Sequence, residues 1–156
     1  MPAELKTITI TRVFNAPREL VWKGIEPERL KEWWGPKDWT APSWDIDLRV
    51  GGKYLYCMRS PEGQDIWGTG ILKKIDPMKE LSFTDSFADK DGKVVAGSQY
   101  IPGEEFPMEM LVTVRFEDLN GKTRMTLTHE KLPATQGDGA TQGWSESFDK
   151  LAEILN

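Results

Sequence analysis

The 156-residue chain has a single cysteine and a single histidine, and both scarcities narrow what it can do. With Cys57 alone, no intramolecular disulfide can form, which favours a reducing, cytoplasmic setting. One thiol and one imidazole, Cys57 and His129, are too few to furnish a zinc site, so no metal is expected, and no other cofactor either. Positive charge is thin as well. No basic block is longer than Lys73-Lys74, the net charge is -5 and the pI is about 5.0. A nucleic-acid backbone would be repelled on average, and a polybasic membrane patch is missing, so neither partner is expected. No stretch reaches the ~18 apolar residues of a membrane-spanning helix. Met1 to Ile10 alternates polar and apolar residues without the apolar centre of a signal peptide, so membrane insertion is not expected.

Tryptophan, in contrast, is plentiful: seven residues in a chain that is 38% hydrophobic and 29% charged. Indoles carry large apolar areas that seek a core or a cavity wall. The length suits one domain, 1–156, that buries roughly two-thirds of its unfolded surface.

Leu5 to Phe14 alternates and is β-branched, which predicts a strand. Asn15 is a candidate cap and Pro17 a first-turn residue for a short helix from Arg18 to Ile25, with Leu20, Val21 and Trp22 partly buried. Pro27 ends it. A second short helix spans Glu28 to Trp34, and Gly35-Pro36 stops that one. Strands are then predicted over Trp39 to Val50, Lys53 to Arg59, Gln64 to Ile75, Leu81 to Phe87, Met108 to Glu117 and Lys122 to Glu130. Gly51-Gly52 reads as a two-residue hairpin turn, and Asn120-Gly121 is the strongest hairpin signal. Gly68 and Gly70 inside a strand point to a bend or close packing. Val94 to Phe106, broken by Gly97, Pro102 and Gly103, reads as a strand fragment and a mobile loop, and Pro133 to Gly137 as a linker. Asp138 is a candidate N-cap for a last helix whose Ala140, Trp144, Phe148, Leu151 and Leu155 share one face.

The order is therefore one strand, two short helices, about six more strands and a long helix. Consecutive antiparallel strands joined by tight turns twist and curl. The apolar stripe of the one long helix has only the concave face of that sheet to bury against. Such a shell leaves a space suited to an apolar ligand. Alternation puts Tyr54, Tyr56 and Met58 on one face, as it does Leu81, Phe83, Asp85 and Phe87, then Met108, Met110, Val112, Val114 and Phe116, and lastly Met125, Leu127 and His129.

The string Arg12-Val13-Phe14-Asn15-Ala16-Pro17, with Val21-Trp22 and Trp33-Trp34-Gly35-Pro36, resembles the opening of the AHSA-like proteins, named after an activator of a heat-shock chaperone ATPase. These belong to the START-related (SRPBCC) superfamily of polyketide cyclases and birch-pollen-type allergens. Asp47 to Tyr54, Gly68 and Gly70, Leu81 to Thr84, Thr126 to His129 and Gly143-Trp144 continue the resemblance in order over almost the whole chain. It implies an α+β helix-grip fold: a curved antiparallel sheet of about seven strands around a long C-terminal helix, with two short helices after strand one. It does not imply one activity, because the family is functionally mixed. The chaperone activator carries a further N-terminal domain for which this chain has no room, so a chaperone partner is an alternative that domain content does not support.

No side-chain set resembles a catalytic constellation. His129 is the natural general base near neutral pH, but the plainer reading has it closing a strand end with local hydrogen bonds. Cys57 and His129 are the only nucleophile–base pair, and no elbow motif surrounds either. Asp85, if buried among Phe83 and Phe87, would become a weaker acid; the plainer reading is an exposed strand end. Trp33 and Trp34 either line a cavity mouth or cap the core. Met58, Met108, Met110 and Met125 add soft, adaptable surface. The leading expectation is a protein that binds a small apolar, aromatic or lipid-like molecule. Its cavity walls would be Trp34, Tyr54, Tyr56, Met58, Phe83, Met110, Val112, Leu127, Trp144 and Phe148, with Asp85 or His129 as polar anchor. A polyketide cyclase- or dehydratase-like enzyme and a co-chaperone-type protein-binding module are the alternatives, in a monomer or homodimer.

Overall fold

The computed structural model describes residues 4–155; the ends of the 1–156 domain assignment, Met1 to Ala3 and Asn156, lie outside the described residues. Seven strands form one antiparallel sheet in the order β1-β7-β6-β5-β4-β3-β2. They are β1 (Leu5–Phe14), β2 (Thr40–Ile46), β3 (Lys53–Arg59), β4 (Asp65–Asp76), β5 (Glu80–Ala88), β6 (Met110–Leu119) and β7 (Lys122–Pro133). Helices α1 (Arg18–Lys23) and α2 (Pro27–Trp33) connect β1 to β2, and α3 (Gly137–Ile154) follows β7. Only β1 leaves the simple meander. It returns across the sheet to pair with β7, from Leu5 opposite Pro133 to Phe14 opposite Thr123, with a register slip between Lys6 and Ile8.

The sheet curls around α3, whose apolar stripe meets α2 and the inner faces of the strands. Phe148 and Leu151 are almost wholly buried, as are Phe14, Val21, Leu72, Val112 and Leu127. Phe148 sits at a junction: its ring centroid lies 6.3 Å from Phe14, 6.3 Å from Trp33 and 5.9 Å from Trp144. Trp33 is locked by its indole N–H, which donates to the Gly24 carbonyl at 2.9 Å. That bond ties the end of α2 to the end of α1.

Several local expectations are corrected. The Gly51-Gly52 pair does not form a two-residue turn. β2 stops at Ile46 and a six-residue loop, 47–52, makes the connection. Its backbone pairs with β4 instead: Gly51 N–H donates to Leu72 O, and Leu72 N–H to Gly52 O. Gly52 is there for space, since a Cβ would lie 2.0 Å from Asp47 O. Met108 is not an inward residue of β6. The strand begins at Met110, where β5 supplies its last partner in Asp85, and Met108 is left 54% exposed. Asp138 lies in the first turn of α3 and does not cap it, because a 3₁₀ turn over Ala134–Gln136 runs directly into the helix. Asn15 gives no side-chain cap to α1, which starts after Pro17, and Leu20 faces solvent. β7 continues past Glu130 to Pro133 because β1 offers it partners to the end. Asn120 and Gly121 both take positive φ, as a tight hairpin with primed-turn twist requires.

Phe148→Ala should lower unfolding free energy by about 3–5 kcal/mol, the usual cost of deleting a buried aromatic and leaving a cavity. Urea denaturation of the two proteins measures the difference.

Candidate functional site

Two glycines on β4 prepare the site. Tyr54 pairs with Gly70 and Tyr56 with Gly68 across the β3–β4 ladder. A Cβ on Gly68 would meet the Tyr56 ring at 2.4 Å, and one on Gly70 would meet Thr84 O at 1.9 Å. With no side chain in the way, both tyrosine rings lie over β4 and reach β5. The Tyr54 hydroxyl donates to Thr84 O at 2.6 Å and also contacts Asp85 Oδ1 at 3.1 Å. Trp44 stacks on both rings, with centroids 5.5 and 4.8 Å away.

The helix supplies the opposite wall. Gly139, Gly143 and Ser147 recur every fourth residue along α3, and all three line a cavity of about 260 Å³ between the helix and the sheet. Gly139 and Gly143 project no side chain from the helix, and a Cβ at Gly139 would meet nothing within 4 Å, so the volume stays open. Its other walls include Trp34, Tyr56, Met58, Asp85, Phe87, Phe106, Met110, His129 and Trp144. A smaller space of about 50 Å³, lined only by apolar and aromatic residues and Tyr54, lies deeper toward α1. Trp34 and Trp144 border both spaces, edge to face at 5.2 Å, and so partition the interior.

The residues predicted for one cavity are therefore distributed. Tyr56, Met58, Asp85, Met110 and His129 line the outer space. Tyr54, Phe83, Leu127 and Phe148 line the inner one, and Trp34 and Trp144 both. Val112 lines neither; it is packed in the core. Trp33 and Trp34 are buried, not exposed at a mouth. Trp34 owes its inward direction to an extended backbone after α2, followed by Gly35 at φ +105°.

Sequence reasoning missed Phe87, Ile101 and Phe106 as walls. The stretch read as a mobile loop folds over the outer cavity: Phe106 meets Phe87 edge to face at 4.8 Å, and the Tyr100 hydroxyl donates to Ala88 O. Gly97 sits under this contact, where a Cβ would strike both phenyl rings. That glycine, between two aromatic positions, was the available signal. The Gly139-Gly143-Ser147 spacing was another.

Two titratable groups face the outer cavity. Asp85 is not an exposed strand end. β5 runs on to Ala88, and Asp85 points inward, partly buried, with its pKa raised to about 6 by burial and held from going higher by hydrogen bonds from Tyr54 and Tyr56. His129 is not a local strand-end contact either. It is 6% exposed, and its Nδ1 accepts from Trp144 Nε1 of α3 at 3.1 Å. Its Nε2 is buried and has no partner among the described residues. Burial lowers its pKa to about 4, so the ring is neutral. Cys57 lies on the other face of β3, buried, with its thiol raised to about 11 by burial and then by the charge of Asp65. It is not a thiolate at neutral pH and does not pair with His129. Among the described residues, no group of three or more His, Cys, Asp or Glu side chains is placed to hold a metal ion. No helix among them is long and apolar enough to cross a membrane.

A seven-stranded antiparallel sheet wrapped around one C-terminal helix, with two short helices after the first strand, is the α+β helix-grip architecture. The chain belongs to the AHSA1 family: the family described as "Activator of Hsp90 ATPase homolog 1-like protein" matches residues 15–156. A Mycobacterium smegmatis protein of known crystal structure superposes with a TM-score of 0.80 at 27% identity, over 98% of this chain and 96% of that one. A Chromobacterium violaceum protein reaches 0.80 at 24% identity over 96% of each chain. An AHSA1 protein from Silicibacter pomeroyi gives 0.75 at 24%, over 96% of this chain and 97% of that one. No curated protein matches the chain in sequence.

The two titratable groups pull stability in opposite directions with pH. From its ordinary 3.8 to about 6, the Asp85 carboxyl ionises in the unfolded chain while the native protein still holds the proton, so stability falls as pH rises through that window. His129 does the reverse between about 4 and its ordinary 6.5: the unfolded chain takes up a proton that the native protein refuses, so stability falls as pH drops. Asp85→Asn should therefore stabilise the ligand-free protein by about 1–3 kcal/mol at pH 7.5, the upper end being the full shift at ~1.4 kcal/mol per unit. The gain should vanish near pH 3.5. Urea midpoints of both proteins at the two pH values check it.

Proposed function

We propose that this protein binds a small apolar or aromatic molecule in the outer cavity between the sheet and α3. One observation carries the reading: an aromatic-walled space of about 260 Å³ whose wall includes Asp85 and His129, the latter with a buried Nε2 that has no hydrogen-bond partner among the described residues. An apolar wall with a few placed polar groups is the usual make-up of a small-molecule site. The volume falls below the roughly 300–1,000 Å³ of drug-sized sites, which favours a ligand of one or two fused rings or a short chain. The membership in a family with a helix-grip fold is compatible with this role and names no ligand.

A proton-transfer enzyme of cyclase or dehydratase type in the same cavity is the second reading. What favours it is the pairing of a carboxyl with pKa about 6 and a neutral imidazole around one space. A turnover that survives both Asp85→Asn and His129→Ala would contradict it.

Binding is tested with 1-naphthol as probe. At 100 times its dissociation constant it should raise the stability of the protein by about 2.7 kcal/mol, a melting shift of roughly 5–10 °C in a chain of this size. Gly143→Leu adds a side chain into the cavity at a position whose Cβ meets nothing closer than Pro36 at 3.5 Å. That variant should fold and lose the shift. A shift of equal size in Gly143→Leu places the probe elsewhere and sinks the reading.

A further inference from the structure

We propose, building on the ligand-binding reading above, that the ligand is a small aromatic molecule with a protonated amine at one end, seated on Asp85, and a hydrogen-bond-accepting oxygen at the other, seated on His129 Nε2–H.

The amine follows from charge. Asp85 is the only acidic side chain in the wall of the outer cavity, and among the described residues no Lys or Arg lines it. A partly buried carboxylate with only tyrosine hydroxyls for partners is poorly compensated. A cation entering the cavity turns that liability into a charge-assisted hydrogen bond. An anion would meet like charge. Aromatic residues wall the same space, Trp34, Tyr56 and Trp144 among them, and a desolvated ammonium placed over the face of such a ring is attracted to it.

The oxygen follows from proton counting. An indole N–H can only donate, so the nitrogen of His129 that meets Trp144 Nε1 must present a lone pair. In a neutral imidazole the proton then resides on Nε2. That N–H is buried, belongs to a residue of the cavity wall and has no acceptor among the described residues. Leaving it so is costly, and an oxygen on the ligand relieves the cost. The low pKa of about 4 supports this, since the ring stays neutral at any physiological pH.

The register sets the separation. Phe83 pairs with Val112 and Val112 with His129, while Asp85 is two residues further along β5. Two strand spacings and two residues of rise put the Asp85 and His129 Cα atoms about 12 Å apart. With each side chain reaching inward, a bicyclic aromatic with groups at opposite ends spans the gap.

Calorimetric titration at pH 7.5 with four matched probes tests this. 5-Methoxytryptamine is cationic with an acceptor oxygen, 5-methoxytryptophol is its neutral counterpart, 5-methoxyindole-3-acetate is its anionic counterpart, and tryptamine lacks the methoxy oxygen. The methoxy amine should bind about tenfold or more tighter than the neutral alcohol, and the carboxylate weakest of all. Asp85→Asn should erase the preference for the amine over the alcohol. His129→Phe should erase the advantage of methoxytryptamine over tryptamine and leave the amine preference in place. Equal binding of amine and alcohol by the wild-type protein, or an amine preference that survives Asp85→Asn, overturns the proposal without recourse to any other variant. If 1-naphthol binds and none of the four probes does, the ligand class is wrong and the cavity reading stands. If 1-naphthol fails as well, both fall.

Discussion

Everything in this molecule depends on how α3 meets the concave face of the sheet. The helix is held tightly at one end and loosely along the rest. Phe148 and Leu151 are buried to 1–2% exposure against Phe14, Trp33 and the inner strands, and they fix its position. Beside and before that anchor, Gly139, Gly143 and Ser147 put little between the helix backbone and the cavity. A close-packed interior tolerates few voids. Here the void survives because the anchor at Phe148 stops the helix from collapsing onto it, and because the Trp34–Trp144 contact props the space open from within.

That geometry explains the chemistry of the site. A space walled by indole, phenyl and thioether groups has little to offer a charge, so Asp85 becomes a weaker acid and His129 a weaker base. Asp85 has the Tyr54 and Tyr56 hydroxyls as partners, Tyr54 sharing its one hydrogen with Thr84 O, and Trp144 satisfies only one nitrogen of His129. On the proposed reading, a small molecule with complementary atoms would partner both groups. The glycines on β4 belong to the same device, since Gly68 and Gly70 are what let the tyrosines reach Asp85.

The periodic parts of this structure were legible in the sequence. Alternation placed Tyr54, Tyr56, Met110, Leu127 and His129 on inward faces, and the three-and-four spacing of α3 placed Phe148 and Leu151 in the core. These patterns are set by burial on one face, which a chain must encode. What failed was decided by partners distant in sequence. Whether β6 reaches Met108 depends on where its pairing with β5 stops, at Asp85–Met110, and whether β2 runs through Gly51 depends on a claim by Leu72 on that loop. Asp85 reads from sequence either as a polar anchor or as an exposed strand end, because a turn lies near; the loop that carries Phe106 and closes over Phe87 is not visible in a period of two. Nor could periodicity show that Trp34 and Trp144 divide one predicted cavity into two, because that needs their ring orientations.

As proposed, the space beside α3 takes a ligand, with the Trp34–Trp144 contact as its inner wall. Chemical-shift mapping of isotope-labelled protein during titration with 1-naphthol tests it most directly. Saturable shifts should be confined to the indole N–H signals of Trp34 and Trp144, the imidazole of His129 and the backbone amides of Gly139 and Gly143. Shifts that map instead to the convex face of the sheet, or signals at these five positions that stay fixed while others move, would contradict it.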